Sequence, residues 1–220
     1  MIVKDMLHGE GNVAHYPIPA QYPGFSNQAL RISFDAPAAK QALNGKIGDT
    51  LRLVTVNTGV YPALAKRLVQ QWGEAGVKVE VLAVDSYSLQ QNYIRPREYD
   101  ILLYGQDLGG DSDMFSFWHS SQAADPGLNL SAYKNATSDQ LIEQARFGKD
   151  PAFRDAKYRD FLATWAQDAP ALLIYSPYYL YAHTTALTGM SAEHLIGSTG
   201  RFLDVNKWAI KSERVPKSEK

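Results

Sequence analysis

Between residues 50 and 105 three short apolar, β-branched stretches alternate with two amphipathic helical ones, and that spacing leaves few folds open. Leu51-Arg52-Leu53-Val54-Thr55-Val56 reads as a strand from its β-branched content. Residues 61–75 read as a helix with Leu64, Leu68, Val69 and Trp72 on one side, stopped by Gly76. Val77-Lys78-Val79-Glu80-Val81-Leu82 alternates as a second strand, and a second helix follows near 86–95. Tyr99-Asp100-Ile101-Leu102-Leu103-Tyr104 is a third strand, apolar enough to be buried on both faces. Strand, helix, strand, helix, strand at these intervals predicts a parallel sheet with right-handed crossovers, hence an α/β fold with a central, mainly parallel sheet flanked by helices.

The flanks are read with less periodicity. Ile2, Val3, Met6 and Leu7 form an apolar helical stripe ended by Gly9 and Gly11, and a helix that starts so abruptly looks cut from something longer. Pro17, Pro19 and Pro23 punctuate an irregular excursion over 12–34. Asp35 is placed to cap a helix through Leu43, with Asn44-Gly45 closing it. A short aromatic helix is expected over Met114 to His119, a helix capped by Thr137 or Ser138 runs to Phe147, and Pro151 opens another ending near Asp168. Ala171-Leu172-Leu173-Ile174-Tyr175 reads as a buried strand, with Pro177 as the turn into a second one over Tyr178 to Ala182. The tail shows little pattern until 201–205, and Lys211 onwards is a charged, frayed end.

Charge and residue types remove several functions. With 22 Lys plus Arg against 23 Asp plus Glu, the chain lacks the basic excess of a nucleic-acid binder. It has no Cys, which excludes thiol catalysis, a disulfide scaffold and Cys-ligated zinc. No run approaches the ~18 consecutive apolar residues of a membrane helix, and the opening residues do not read as a secretory signal. The His at 8, 15, 119, 183 and 194 show no i, i+4 pair, so no metal site is expected. No G-x-S-x-G elbow and no phosphate loop occurs, and His119-Ser120-Ser121 are sequence neighbours, whereas a triad is assembled from distant segments. No catalytic residue and no cofactor is assigned.

What remains is a loop, Gln106-Asp107-Leu108-Gly109-Gly110-Asp111-Ser112-Asp113, just past the carboxyl end of the third strand. Ligands bind there in open α/β sheets. Its carboxylates could receive an ammonium group or a cation, although their spacing fails the calcium-loop pattern. Asp111 and Asp113 could equally cap the helix from Met114. Phe115, Phe117, Trp118 and Tyr133 lie close in sequence and would serve either as a cleft wall or as core.

Several segments, in this order, resemble the family-5 extracellular solute-binding proteins, the peptide receptors of ABC importers. KDMLHGEGNVAHYPIP from Lys4 to Pro19 is similar to that family's helix ending in L-H-G and its P-I-P loop. Residues 34–43 resemble its Y-D-P-x-x-A-K-x-L-L helix, and GVKVEV its G-I-x-V strand. YDILLYG and DSDMFSFWHSS resemble its Y-D-x-x-x-x-G-W and D-P-D…F, LNLSAYKN its N-x-S-x-Y-x-N, SDQLIEQA its D-x-L-I-x-x-A helix, and APALLIYSPYYLY its proline-led apolar hairpin.

The resemblance implies a type II periplasmic-binding-protein-like lobe. Residues 1–186 would be the second lobe of a longer two-lobe receptor, and 187–220 a return segment toward the first lobe. It implies a secreted, often lipid-anchored protein, extracellular or periplasmic, that closes over a peptide or other small solute and delivers it to permease subunits. In the family an Asp four residues after the glycine of G-W receives the peptide ammonium; counted from Gly105 that position is Gly109, and the Trp position is Gln106. Asp107 or Asp111 would then supply the charge from a shifted register. The expected ligand-binding set is Tyr104, Gln106, Asp107, Gly109, Asp111, Trp118 and Asn129. A protein-interaction domain and an α/β hydrolase are the alternatives; the first predicts an apolar docking patch, the second a nucleophile and base.

Overall fold

A computed structural model describes residues 2–18, 35–43, 48–108, 113–191 and 200–210, with Arg201 described in its backbone alone. Residues 19–34 of the excursion expected over 12–34, the Asn44-Gly45 stop, Gly109, Asp111 and the tail from Lys211 lie outside these residues.

The frame is the expected one. A π-helical turn over Ile2–Met6 ends at Gly9, whose φ of +85° suits a residue without Cβ, and leads into β1 (Gly11–Val13). Helix α1 (Ala36–Leu43) starts on Asp35, whose Oδ1 accepts from the Ala38 N–H at 2.9 Å. Then come β2 (Leu51–Val56), α2 (Tyr61–Glu74), β3 (Val79–Val84), α3 (Ser86–Ser88, continued as π-helix over Leu89–Ile94) and β4 (Ile101–Leu103). The three strands form one parallel sheet in the order β3-β2-β4.

Burial explains why β2 lies at the centre. Its alternation sends Leu53 to one face, against Leu64, Ala65 and Leu68 of α2, and sends Val54 and Val56 to the other, against Leu89 and Ile94 of α3. Each fully buried aliphatic side chain contributes about 1.5–3 kcal/mol, so a strand covered by a helix on each face is the stable core of the unit. The Thr55 hydroxyl, fully buried, donates to the Leu103 carbonyl at 2.9 Å and ties β2 to β4.

Two strands differ from their expected form. β3 pairs two residues later than the alternation suggests, because the register Leu51↔Val79 through Val56↔Val84 is set by β2 and a shift of two preserves the faces. β4 is three residues long and only Leu103 is buried, so it is not covered on both faces. It is an edge strand among the described residues.

Beyond the sheet, α4 (Phe115–Trp118) starts on Asp113, whose Oδ1 accepts from the Phe115 N–H at 3.0 Å. Helix α5 (Ala136–Phe147) is capped by Asn135, not by Thr137 or Ser138, because the Asn135 Oδ1 accepts from both of their N–H groups. Helix α6 (Pro151–Asp168) is capped by Asp150 and stops at Ala169, φ +45°. The two helices pack together around Ile142, Tyr158, Phe161 and Trp165.

The proline-led hairpin is not formed. Residues 171–174 are not a strand, and Leu172 is 61% exposed. Only β5 (Tyr175–Pro177) is extended and paired, with β1, and 178–182 form no strand. The pairing that forms begins at the end of the apolar run, where the Ile174 carbonyl accepts from the Ala14 N–H at 3.3 Å.

The chain divides into two compact units. One comprises 1–106 with 112–176, the other 107–111 with 177–220. Within the second, β6 (Leu187–Thr188) pairs antiparallel with β7 (Ala209–Ile210), and Gly189 is required there: its φ is +81° and a Cβ would lie 2.0 Å from the Lys207 carbonyl oxygen.

Candidate functional site

The carboxyl ends of all three parallel strands open onto one pocket of about 250 Å³. The strand order makes this edge a switch point. α2 leaves β2 on one face to reach β3, and α3 returns across the other face to reach β4 on the far side. Val56, Leu89 and Ile94 form a buried apolar floor, Tyr61 and Tyr104 the walls, and Thr58, Ser86 and Gln90 an exposed polar rim. Gly105 closes it from the β4 side. A Cβ there would stand 2.8 Å from the Tyr61 hydroxyl, so the close approach of loop to ring depends on glycine.

The described lining is uncharged. Among the described residues no Asp, Glu, Lys, Arg or His lines the pocket. Burial pushes the Tyr61 hydroxyl above its ordinary value, with the neighbouring Tyr175 and Tyr104 adding to it, so it stays a neutral donor and acceptor across the physiological range. The nearby Asp85 is spent on the helix start: its Oδ1 accepts from the Ser88 N–H at 3.0 Å and its Oδ2 from the Ser88 hydroxyl at 2.6 Å, which holds its carboxyl below the usual range. Ring faces, hydroxyls and one amide over an aliphatic floor can hold an apolar or polar uncharged group by contact and hydrogen bonding.

The expected site residues fall in different places. Tyr104, 47% exposed, lines the pocket. Gln106 lies beyond it, with its Nε2 donating to the Leu128 carbonyl at 2.9 Å. Asp107 is exposed and belongs to the second unit. Trp118 is buried, edge-on to Trp165 with ring centroids 5.3 Å apart, and contributes to packing rather than to this pocket. Asn129 corrects the expectation most clearly. It is fully buried; its Nδ2 donates to the His119 and Tyr133 carbonyls, and its Oδ1 accepts from the Ser131 hydroxyl and the Tyr133 N–H. Its hydrogen-bonding capacity is used within the fold, leaving none for a solute.

Thr58, Tyr61, Ser86, Gln90 and Gly105 were not singled out from sequence. They sit two to six residues beyond strand ends, so the rule that ligands bind past the carboxyl ends of parallel strands, applied to β2 and β3 as it was to β4, would have found them.

A second constellation tests the hydrolase alternative. The His119 Nδ1 lies 2.8 Å from the Ser121 hydroxyl, and its Nε2 lies 3.4 Å from Glu143 Oε1 and 4.0 Å from Asp139 Oδ1. The Nδ1 lone pair, however, already accepts from the Ser121 N–H at 3.1 Å, which makes His119 the cap of a one-turn helix over Ser120–Gln122. Asp139 in turn accepts from the Ser120 N–H at 2.9 Å and from the Ser120 hydroxyl. The group therefore works as a cap, and the pocket past the strand ends does not include Ser121. Among the described residues no cluster of three His, Asp or Glu could hold a metal ion, and no helix is long and apolar enough to cross a membrane.

Comparisons with known proteins bear on the fold. The sequence is 27% identical over 196 residues to the oligopeptide-binding protein AppA of Bacillus subtilis, covering 80% of this chain and 36% of AppA. The likeness agrees with the resemblance to the family-5 solute-binding proteins read from the sequence. No protein-family model matches the sequence. The AppA structure, solved with a nonapeptide, superposes with a TM-score of 0.76 at 23% identity, covering 96% of this chain and 45% of AppA. DppA of Helicobacter pylori, solved with the peptide STSA, gives 0.77 at 21%, covering 96% and 41%. NikZ of Campylobacter jejuni, solved with Ni(L-His), gives 0.73 at 21%, covering 94% and 45%. The fold is that of a type II periplasmic-binding-protein lobe. The chain spans about a third of the curated relative and less than half of each of these solved chains.

Proposed function

We propose that this chain is the second lobe of a substrate-binding component of an ABC importer, which captures a peptide-like solute in a cleft and delivers it to permease subunits. In this reading residues 1–186 form the lobe and 187–220 the segment returning toward a first lobe. The protein works outside the cytoplasmic membrane, by closure over its cargo and without chemical transformation. The observation that carries the reading is the pocket at the carboxyl ends of β2, β3 and β4, with Tyr61 and Tyr104 on its walls and no charged side chain among its described lining residues. Its rings, hydroxyls and aliphatic floor suit a peptide side chain or backbone better than a nickel chelate, whose recognition calls for imidazole or carboxylate groups. The relatives' peptide complexes point the same way. Asp107 or Asp111 is the proposed partner of the solute's ammonium group, and replacing both by Asn weakens peptide binding if so.

Native mass spectrometry of the natural-length protein, purified without denaturation, tests the reading. A released adduct that fragments into amino-acid residues is the expected result. A non-peptide adduct replaces the cargo, and no adduct with no mass shift on adding mixed peptides overturns the reading in favour of an interaction domain.

A further inference from the structure

Helices α5 and α6 are joined by the short link Gly148-Lys149-Asp150, and the tip of this hairpin carries two phenylalanines that the fold leaves in water. Phe147, the last residue of α5, is 79% exposed, and Phe153, in the first turn of α6, is 43% exposed. The two are neighbours. A Cβ on Gly148 would stand 2.8 Å from Phe153 Cδ1 and 3.1 Å from Arg154 Cγ, so both side chains lie against the residue that follows Phe147. The hairpin does not need these rings for its core, which Ile142, Ala145, Tyr158 and Phe161 fill from buried positions. Single exposed apolar residues are ordinary, but adjacent aromatic rings at a turn mark a surface that meets something apolar.

Charge says what that partner is. Residues 146–157 hold Arg146, Lys149, Arg154 and Lys157 against Asp150 and Asp155, in a chain whose net charge is −1. Arg146 is committed inward: its Nε lies 3.3 Å from Asp113 Oδ2, and its guanidinium sits over the Phe115 ring. Asp150 is engaged as the cap of α6, its Oδ1 accepting from the Ala152 N–H at 3.2 Å. Lys149, Arg154 and Lys157 enter no ion pair among the described residues, and the Lys157 ammonium stands 5.4 Å from the centroid of the Phe153 ring. Two rings are thus flanked by three uncommitted cations at one turn.

We infer that the α5–α6 tip is a contact site for an anionic lipid surface, with Phe147 and Phe153 entering the headgroup layer and Lys149, Arg154 and Lys157 meeting its phosphates. Rings gain by leaving water, and each cation close to an anionic surface adds to the attraction. The long Lys and Arg stems let the charges stay at the phosphate level while the rings go deeper. A second copy of the chain fits less well, because tip against tip opposes like charges. A protein partner would need an acidic recess shaped to this turn, whereas a fluid lipid surface needs no matching shape. The inference is independent of the solute-binding reading, since the tip shares no residue with the pocket past the strand ends.

Co-sedimentation of the natural-length protein, made without any attached lipid, with vesicles of phosphatidylglycerol and of phosphatidylcholine tests it. Binding at low salt is expected to be at least about ten-fold stronger on phosphatidylglycerol, and lost near 1 M salt, where the screening length falls to about 3 Å. Lys149→Gln is expected to weaken it about five-fold, and Phe147→Ser about ten-fold. Both side chains are exposed, so neither change threatens folding. Lys66→Gln, on the exposed face of α2, leaves the binding unchanged and serves as the control. No binding to either vesicle overturns the proposal, as does equal binding to both. Losses as large from Lys66→Gln as from Lys149→Gln mean diffuse adhesion and overturn it too. Binding only to vesicles that carry the reconstituted permease, weakened by Phe147→Ser, assigns the tip to a protein partner and overturns the lipid contact. Peptide binding measured on the same samples is expected to be the same in Phe147→Ser and the parent, so failure here leaves the receptor reading standing, and the reverse.

Discussion

The carboxyl edge of the sheet and the turn around Asn129 are both rich in polar side chains and both follow strands or loops that the sequence marks as site candidates. They differ in where their hydrogen bonds go. Around Asn129 the groups pair with one another: the Asn129 amide with three residues' backbone or hydroxyl groups, Tyr133 with Ser138 and Asp168, Ser120 with Asp139, and His119 with Ser121. At the sheet edge, Thr58, Ser86, Gln90 and Tyr104 have exposed side chains around an apolar floor, and no side-chain bond ties them to another described residue. Polar groups paired inside the fold hold it together, and those left facing a cavity are available to a solute.

The largest effect that bears on this contrast is expected from Asn129→Ala. It strands the buried His119 and Tyr133 carbonyls and the Tyr133 N–H, and lowers stability by about 3 kcal/mol in denaturant unfolding, while the folded fraction keeps its affinity for peptide. Tyr104→Ala is expected to do the reverse. Peptide binding by calorimetry weakens about ten-fold, or ~1.4 kcal/mol, and the unfolding midpoint stays within about 0.5 kcal/mol of the parent. If Asn129→Ala abolished binding in the folded protein, or Tyr104→Ala left it unchanged, the division between the two regions would fail.

Gly105→Ala sharpens the comparison further. The new Cβ displaces the Tyr61 hydroxyl from 2.8 Å and narrows the pocket mouth, for an expected loss of about three-fold in affinity at little cost in stability. The smallest effect is a pH dependence confined to the Asn129 region. Hydrogen bonds from Tyr133 and Asn135 hold the Asp168 carboxyl below its ordinary value of 3.8. The stability it contributes is therefore present above about pH 3.8 and lost as pH falls below it. Burial, then the bond to Asp168, pushes the Tyr133 hydroxyl from 10.0 up to about 12, so its contribution is present below pH 10 and lost as pH rises toward 12. Tyr133→Phe flattens the unfolding profile at both ends, Asp168→Asn flattens the acid end, and neither changes peptide affinity at pH 7.

Much of this arrangement was readable from residue order alone, because it rests on local rules. The βαβαβ run follows from period-two and helical alternation, and Asp35, Gly76 and Pro151 mark helix ends through their own chemistry. The misreadings have non-local causes. Asn129 was counted as a solute contact because a polar loop residue is ambiguous until its partners at 119, 131 and 133 are known. Residues 171–174 read as a strand because composition is local, whereas the pairing that forms here begins at the Ile174 carbonyl, which accepts from the Ala14 N–H, and continues as β5 against β1. The pocket was half visible: Tyr104 and the loop after β4 were marked, while Tyr61, Ser86 and Gln90 come together only once β2 and β3 lie beside β4.

The most direct test of the central claim, that the carboxyl edge of the sheet is the solute-binding surface, is a titration of the isotopically labelled chain with mixed short peptides, followed by amide chemical shifts. Shifts gathered at 56–61, 85–94 and 104–107, and lost in Tyr104→Ala, are the predicted result. Shifts gathered instead around 119–139, or none at millimolar peptide in either the 220-residue chain or the natural-length protein, would contradict it.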